Sequence, residues 1–173
     1  MIIVLIGVAG SGKTTVGRLL ARRLGWTFYE GDDFHSPGNI AKMTRGQSLD
    51  DEDRKPWLRA IRDLINKIVE RGENAVIACS ALKQSYRRFL VASGEVVFVY
   101  LKAESPLVRE RVKRRVGHFI HPALIESQFD ALEEPDDALQ VDASLSPVEI
   151  VRIIREKLHL KPTTRRHERP GRY

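Results

Sequence analysis

Five short apolar runs, separated by longer stretches of mixed polarity, set the pattern of this chain. The runs are 2–6, 27–29, 75–79, 96–101 and 139–141. They are largely continuous rather than alternating, which is typical of strands that are covered on both faces of a parallel sheet. The pattern therefore predicts an α/β fold with a doubly wound parallel five-stranded sheet and right-handed crossovers.

Two of the intervening stretches have the spacing of amphipathic helices. Apolar residues recur every three or four positions from Trp57 to Val69, and Gly72 is placed to end that helix. Residues 146–158 repeat the pattern, with Ser146 as a cap and Pro147 in the first turn. The chain has no internal repeat and no linker before its last residues, so we expect one compact domain over 1–160.

Charge is concentrated at the end of the chain. The tail, residues 161–173, carries five Lys and Arg residues against Glu168, which is +4 of the net charge of +6. It also contains Pro162 and Pro170 without apolar periodicity, so we expect it to be disordered. The remaining +2 does not call for a nucleic-acid partner, and we expect none.

Two further features bear on location. No run approaches the ~20 apolar residues of a membrane span, so we expect no membrane partner. The single cysteine, Cys79, lies in an apolar run and excludes an internal disulfide. We expect a cytoplasmic protein with a buried, chemically ordinary thiol.

The most informative motif directly follows the first apolar run. Residues 7–14 read G-V-A-G-S-G-K-T, which fits G-x-x-x-x-G-K-[ST] between a strand and a helix. Such glycines let backbone N–H groups converge on phosphate, and the helix N-terminus adds about half a positive charge. We expect Lys13 to contact the β- and γ-phosphates of ATP and Thr14 to bind Mg²⁺. The full set expected to bind ATP is Gly7, Val8, Ala9, Gly10, Ser11, Gly12, Lys13, Thr14 and Thr15.

Further candidates follow the other strands, because ligands collect beyond the carboxyl ends of parallel strands. Asp32 is placed to accept a proton from a substrate hydroxyl or to hold it in line, with capping of the next turn as the alternative. His35 is a candidate donor to a substrate hydroxyl, or a structural histidine. Arg115 precedes Gly117 in a connection that we expect to close as a mobile lid and to bring the guanidinium onto the γ-phosphate. Lys13, Asp32 and Arg115 are thus the predicted catalytic residues.

The acceptor side is predicted from isolated cations. Arg54 follows an acidic helix start and is suited to pair a substrate carboxylate bidentately. Lys83 and Arg87 are four residues apart, so we expect one helix face to bring both to the same anion. A nucleotide site, a carboxylate that can act as general base and several cations in one cleft indicate phosphoryl transfer to a small anionic acceptor.

Several segments, in order, resemble the small bacterial-type gluconokinases, relatives of shikimate kinase in the P-loop nucleoside-monophosphate-kinase-like group. The resemblance spans roughly residues 3–158. Its most specific segments are Arg54 to Trp57 and Cys79 to Lys83. It also rests on the phosphate loop, Gly31 and Asp32 with His35, Asn39 with Lys42 and Met43, Leu49, Asp53, Leu58, Tyr86 with Arg87, residues 117–119, residues 127–129, and Leu132 with Glu133.

This resemblance implies a three-layer α/β/α P-loop NTPase fold with a mobile lid. It also implies Mg²⁺- and ATP-dependent phosphorylation of the terminal hydroxyl of D-gluconate, giving 6-phosphogluconate and ADP. Gln128 is added as a substrate contact, beside Arg54, Lys83, Arg87, Asp32 and His35, and Arg111 as a residue packing on adenine. Glu30 stands where the family usually has aspartate, which bears on outer-shell metal contacts. A homodimer is common in the family.

Two alternatives remain open from the sequence. The same chemistry with shikimate or a nucleoside monophosphate as acceptor would keep Lys13 and Asp32 but use other acceptor contacts. A nucleotide-dependent module that binds nucleic acid through its basic tail would show an affinity that falls steeply with salt. The segments around Arg54 and Lys83 favour the gluconokinase interpretation.

Overall fold

A computed structural model of the protein describes residues 1–91, 96–113 and 122–161, and these contain one parallel sheet. Its strands are β1 (Ile2–Ile6), β2 (Thr27–Glu30), β3 (Ala75–Ala78), β4 (Val96–Lys102) and β5 (Leu139–Asp142). Their order across the sheet is β2-β3-β1-β4-β5, so crossovers run to both sides of the central β1. The predicted five-stranded, doubly wound parallel sheet is confirmed, with each strand within one residue of its predicted bounds.

Helices connect the strands. They are α1 (Lys13–Leu24), α2 (Pro37–Thr44), α3 (Asp51–Glu70), α4 (Gln84–Leu90), α5 (Ser105–Lys113), α6 (Pro122–Asp130) and α7 (Pro147–Lys157). A 3-10 turn at Gly31–Phe34 joins β2 to α2.

The core lies on both faces of the sheet. Ile3 and Leu5 of β1 pack in one cluster with side chains of α1 and α7. Ile2, Val4 and Ile6 point the other way and pack with side chains of α3 and α4. Full burial of side chains of this size stabilises the fold by about 1.5–3 kcal/mol each. The two clusters establish the predicted three-layer arrangement.

The two predicted helices have strong end signals. At α3, Asp50 and Asp53 form a capping box, which starts the helix before the first apolar position, Trp57. At the other end Gly72 has φ 63°, the left-handed conformation expected just past a helix. Ser146 and Glu149 form the corresponding box at α7. The capping box fixes the first turn of α3, which carries Arg54.

Some predictions fall outside the described residues. These are the lid with Arg115 and Gly117, and the tail beyond Lys161. Within the described ranges, no helix is long and apolar enough to cross a membrane. Cys79 is fully buried at the end of β3, and burial raises the pKa of its thiol to about 12.

Candidate active site

A cavity of about 380 Å³ opens at the carboxyl ends of β1, β2 and β3. Gly10, Gly12, Lys13 and Thr14 line one part of it. Elsewhere its wall is formed by residues that include Asp32, His35, Arg54 and Gln128. The structure thus brings the predicted phosphate loop and five of the predicted catalytic or substrate-binding residues (Lys13, Asp32, His35, Arg54 and Gln128) to one cavity.

The phosphate loop has the backbone that its glycines predict. Gly7, Gly10 and Gly12 have φ of 140°, 81° and 103°, and a Cβ on Gly7 would lie 2.9 Å from the carbonyl oxygen of Leu101. Lys13 Nζ donates to the carbonyl oxygens of Gly7 and Val8, each at 2.9 Å. Its ammonium group is therefore held over the loop.

The start of α1 is suited to an anion. Within the described part of the chain, no side chain caps this helix and its first turn has no acidic residue. The buried hydroxyl of Ser11 likewise finds no hydrogen-bond partner there. Amides in the first turn of a helix lack intrahelical acceptors and attract negative charge. Thr15, the last predicted member of the loop, is exposed and does not line the cavity.

A small group of oxygen atoms lies where the nucleotide's metal is expected. The Thr14 hydroxyl lies beside the Glu30 carboxylate, and Asp32 and Asp33 also line the cavity. Burial raises the pKa of Glu30, whereas the neighbouring Thr14 hydroxyl opposes the shift. Among the residues described, no three His, Cys, Asp or Glu side chains form a group that could hold a metal ion. A partial set of hard oxygen donors fits Mg²⁺, which keeps several waters and takes phosphate oxygens as ligands.

The turn that carries Asp32 is held from several sides. Trp57 Nε1 donates to the carbonyl oxygen of Gly31 at 2.7 Å. Gly31 packs so closely on β3 that a Cβ there would clash with the carbonyl oxygen of Ala78. The His35 ring stacks on Trp57 at 4.6 Å between centroids and 9° between planes. Burial lowers the pKa of His35, with nearby Asp32 opposing, so the neutral ring is favoured.

Arg54 is held by α3 and α4 together. Its Nη1 lies 3.3 Å from the hydroxyl of Tyr86, which itself donates to Asp51. Lys83 Nζ donates to the same carboxylate at 2.7 and 3.0 Å. Lys83 lies beside an open depression next to the cavity rather than in it. Arg54 therefore lines the cavity, and Lys83 belongs to its rim.

Arg87 does not reach the cavity, contrary to the expectation that it shares an anion with Lys83. It is 3% exposed, and its Nη1 donates to the carbonyl oxygens of Ala81 and Leu82 at 3.1 and 2.8 Å. Lys83 is the cap residue of α4 and turns to Asp51 instead. The two cations diverge because acceptors within the protein hold each of them.

Two predicted residues contact the phosphate loop directly. Gln128 Oε1 accepts a hydrogen bond from the Ala9 amide at 2.7 Å, which links α6 to the loop. Arg111 donates to the carbonyl oxygens of Ser11 at 3.2 Å and of Ala143 at 2.7 Å. Arg111 thus bridges the loop and the segment after β5.

Two aromatic residues of the site received no role in the sequence analysis. Trp57 and Tyr86 both line the cavity and hold polar groups there. The apolar periodicity of α3 assigned Trp57 to the core, and its ring does pack there. The spacing could have indicated a place for Trp57 in the site, because it is three residues after Arg54 and so shares its helix face.

Comparisons with known proteins agree with this geometry. The family model described as shikimate kinase matches residues 9–139. The gluconokinase of Gluconobacter oxydans (strain 621H) is 46% identical over 136 residues, covering 78% of this chain and 76% of that protein. A Mus musculus protein named probable gluconokinase is 39% identical over 178 aligned residues, with 91% and 97% covered. The crystal structure of a gluconokinase from Sinorhizobium meliloti 1021 has a TM-score of 0.79 at 40% identity, with 91% and 94% covered.

Proposed function

The chain belongs to the gluconokinase family, and on that premise we propose that it transfers the γ-phosphoryl group of ATP to the terminal hydroxyl of D-gluconate. The products are 6-phosphogluconate and ADP. The observation that carries the proposal is the cavity in which the phosphate loop meets Asp32 and Arg54. The carboxylate of D-gluconate would pair with the Arg54 guanidinium. Its terminal hydroxyl, at the other end of the molecule, would face the Asp32 carboxylate.

We assign the nucleotide to the end of the cavity that the phosphate loop lines. Lys13 would contact the β- and γ-phosphates, and the amides of the loop and of the first turn of α1, including Thr15, would bind phosphate oxygens. Mg²⁺, when bound, would neutralise charge on the phosphates, and the Thr14 hydroxyl would hold it with Glu30 beside it. Arg111 would hold the phosphate loop through its hydrogen bond to Ser11 and would pack next to the adenosine.

The acceptor end would hold the sugar acid and its reacting hydroxyl. Arg54 would pair with the carboxylate, which is favoured by the geometry of a guanidinium fork. Asp32 would hold the terminal hydroxyl in line and accept its proton as the new P–O bond forms and the bond to the ADP oxygen breaks. Neutral His35 and Gln128 would contact the polyol, and Lys83 at the rim would attract the incoming anion.

Two parts of the proposal concern a residue outside the described ranges and the cellular location. Arg115 would lie over the γ-phosphate and stabilise charge in the transition state. A cytoplasmic location, where ATP and Mg²⁺ are supplied, would suit the reaction, and no nucleic acid or membrane is needed for it.

An acceptor panel tests the function. Release of ADP would be followed with D-gluconate, shikimate, a nucleoside monophosphate and D-glucose, the last as a polyol without a carboxylate. We expect rapid turnover with D-gluconate alone, and a phosphorylated product confirmed by mass. Rapid turnover only with another acceptor would overturn the assignment.

Two variants in the same assay test the division of roles. Lys13→Ala should lower turnover by orders of magnitude without unfolding the protein, because it removes charge stabilisation rather than core packing. Asp32→Asn should lower kcat much more than it raises the KM for ATP. Full activity of Asp32→Asn would exclude the role proposed for this carboxylate.

A further inference from the structure

We propose that Trp57 is a positioning residue for this reaction, whose indole N–H holds the Gly31–Phe34 turn so that Asp32 faces the acceptor hydroxyl. The inference rests on the proposed function, since it assigns a task to a residue of the same cavity. It goes further in naming what keeps the Asp32 carboxylate in place.

The first argument is the position of the bond along the chain. Trp57 Nε1 donates to the carbonyl oxygen of Gly31, the residue directly before Asp32. A peptide unit is planar, so fixing this carbonyl also fixes the amide of Asp32. At 2.7 Å, with Trp57 only 4% exposed, the bond lies in a buried setting where water does not readily replace it.

The second argument is that the turn has a second close contact besides the indole. Gly31 also lies against the end of β3, where a Cβ would meet the carbonyl oxygen of Ala78. The start of the turn is thus in contact with both the strand and the tryptophan. Because His35, just after the turn, stacks on the same ring, the indole contacts the chain on both sides of Asp32.

The third argument links this task to acceptor binding. Arg54 and Trp57 are three residues apart on α3, and both line the cavity. Helix α2 holds this first part of α3, since Lys42 Nζ donates to the Asp53 carboxylate at 2.6 Å and Asn39 Nδ2 to the Asp53 carbonyl at 2.7 Å. The group proposed to hold the acceptor carboxylate and the residue that positions Asp32 therefore share one rigid element. Arg54 and Trp57 are thereby kept about one helical turn apart.

The test is Trp57→Phe, which keeps an aromatic ring beside His35 and removes the N–H donor. We expect kcat with D-gluconate to fall about ten-fold, and both KM values to change less than about two-fold. Trp26→Phe is the matched control, because Trp26 is the other tryptophan and packs on the opposite core cluster. It should leave kcat unchanged.

A double-mutant cycle separates positioning from a general structural role. In an Asp32→Asn background, Trp57→Phe should cause no further fall in the rate of transfer, because the group that it positions is already lost. Slow transfer in that background is measured as single turnover of labelled phosphate with enzyme in excess. An equal fall in both backgrounds would overturn the inference.

An isosteric replacement covers the case in which Trp57→Phe does not fold. In the Trp26→Phe protein, Trp57 is the sole tryptophan, so 3-benzothienylalanine can replace it globally with a sulfur atom in place of the N–H. This protein should show the same selective fall in kcat; an unchanged kcat would refute the inference. Absence of gluconate turnover in the unaltered protein would instead refute the proposed function.

Discussion

In the described part of the chain, the cavity is lined by one arginine, Arg54, and one lysine, Lys13. Arg54 reaches the cavity between Tyr86 and Asp51, and its side chain is 18% exposed. A charge with this little access to water binds a carboxylate more strongly than a surface charge does. We therefore expect the affinity for an acidic acceptor to depend mainly on the Arg54 guanidinium.

We expect Arg54→Ala to raise the KM for D-gluconate about 100-fold, because hydrogen bonds to charged groups are worth about 1.5–3 kcal/mol. The KM for ATP should stay close to that of the unaltered protein. Lys55→Ala is the control, since Lys55 is exposed, pairs with Glu52 and does not line the cavity. Initial rates over a range of concentrations of each substrate give both KM values. A change in the KM for ATP alone would contradict the proposed division of the cavity.

Glu30 gives a prediction about pH. Burial raises its pKa above 4.5 in the folded protein, so the folded state favours the protonated carboxyl. This stabilisation is complete at low pH and is lost as the pH rises through the raised pKa. Glu30→Gln, which stays neutral, should thus be more stable than the unaltered protein near neutral pH. The difference should shrink as the pH falls toward 4.5.

Thermal unfolding without nucleotide or Mg²⁺, measured for both proteins over that pH range, tests this expectation. Glu73→Gln, at an exposed position, serves as the control for removing one negative charge. A stability difference that grows toward low pH would show that burial does not dominate at Glu30.

At the scale of elements, the apolar pattern was sufficient to predict the sheet. Continuous runs such as Ile2 to Ile6 mark strands buried on both faces, and that burial is what the structure has. The start of α3 was harder to predict, because its first turn is acidic and lies before the apolar face. It is fixed by the Asp50–Asp53 capping box and by contacts of Asp53 with α2.

The acceptor site could be predicted only in part, because spacing gives the face of a helix but not what that face meets. The sequence predicts that both Arg54 and Lys83 contact the substrate. In the structure, a hydrogen bond to Asp51 holds Lys83 at the rim of the cavity. The partner of Arg87 is a backbone turn, and no sequence pattern reports the direction of the Ala81 and Leu82 carbonyl groups. Tertiary hydrogen bonds of this kind decide which cations face the ligand.

The turn between β3 and α4 provides a prediction at this scale. Ala81 has φ 35°, an uncommon value for a residue with a side chain, and Arg87 holds its carbonyl and the next one. Arg87→Met should destabilise the protein by about 2–3 kcal/mol, because two buried acceptors lose their donor. Urea unfolding measures this change.

Arg88→Met, at the next and exposed position of the same helix, should change stability little. Because Ser80, Ala81 and Leu82 line the cavity, Arg87→Met should also raise the KM for D-gluconate. Equal stabilities of the two variants would show that the turn does not depend on this guanidinium.

At the scale of the whole molecule, β1 lies under the phosphate loop and in the middle of the sheet. Its alternate side chains belong to the two core clusters, so both helical layers hold the strand from which the loop departs. The loop is also bonded to Ser80, just after β3, and to Gln128 of α6. The phosphate loop is thus anchored to both layers of the fold.

The tail beyond Leu160 supplies four of the six net positive charges. Because the cavity and both core clusters lie before it, removal of residues 161–173 should leave the kcat and KM values for ATP and D-gluconate nearly unchanged. Steady-state kinetics of the truncated chain test this. Nucleic-acid affinity that falls steeply with salt and disappears on truncation, together with lost turnover, would favour the alternative class.

The burial of Cys79 has a practical consequence. A thiol with a pKa of about 12 at the end of β3 is almost entirely protonated at neutral pH, and reagents in solution do not reach it. As it is the sole cysteine of the chain, a second one introduced on the surface would take up a maleimide dye alone. Placed between residues 114 and 121 and paired with a nucleotide that carries an acceptor chromophore, such a dye would test the predicted lid closure by energy transfer, and the native thiol would stay unlabelled.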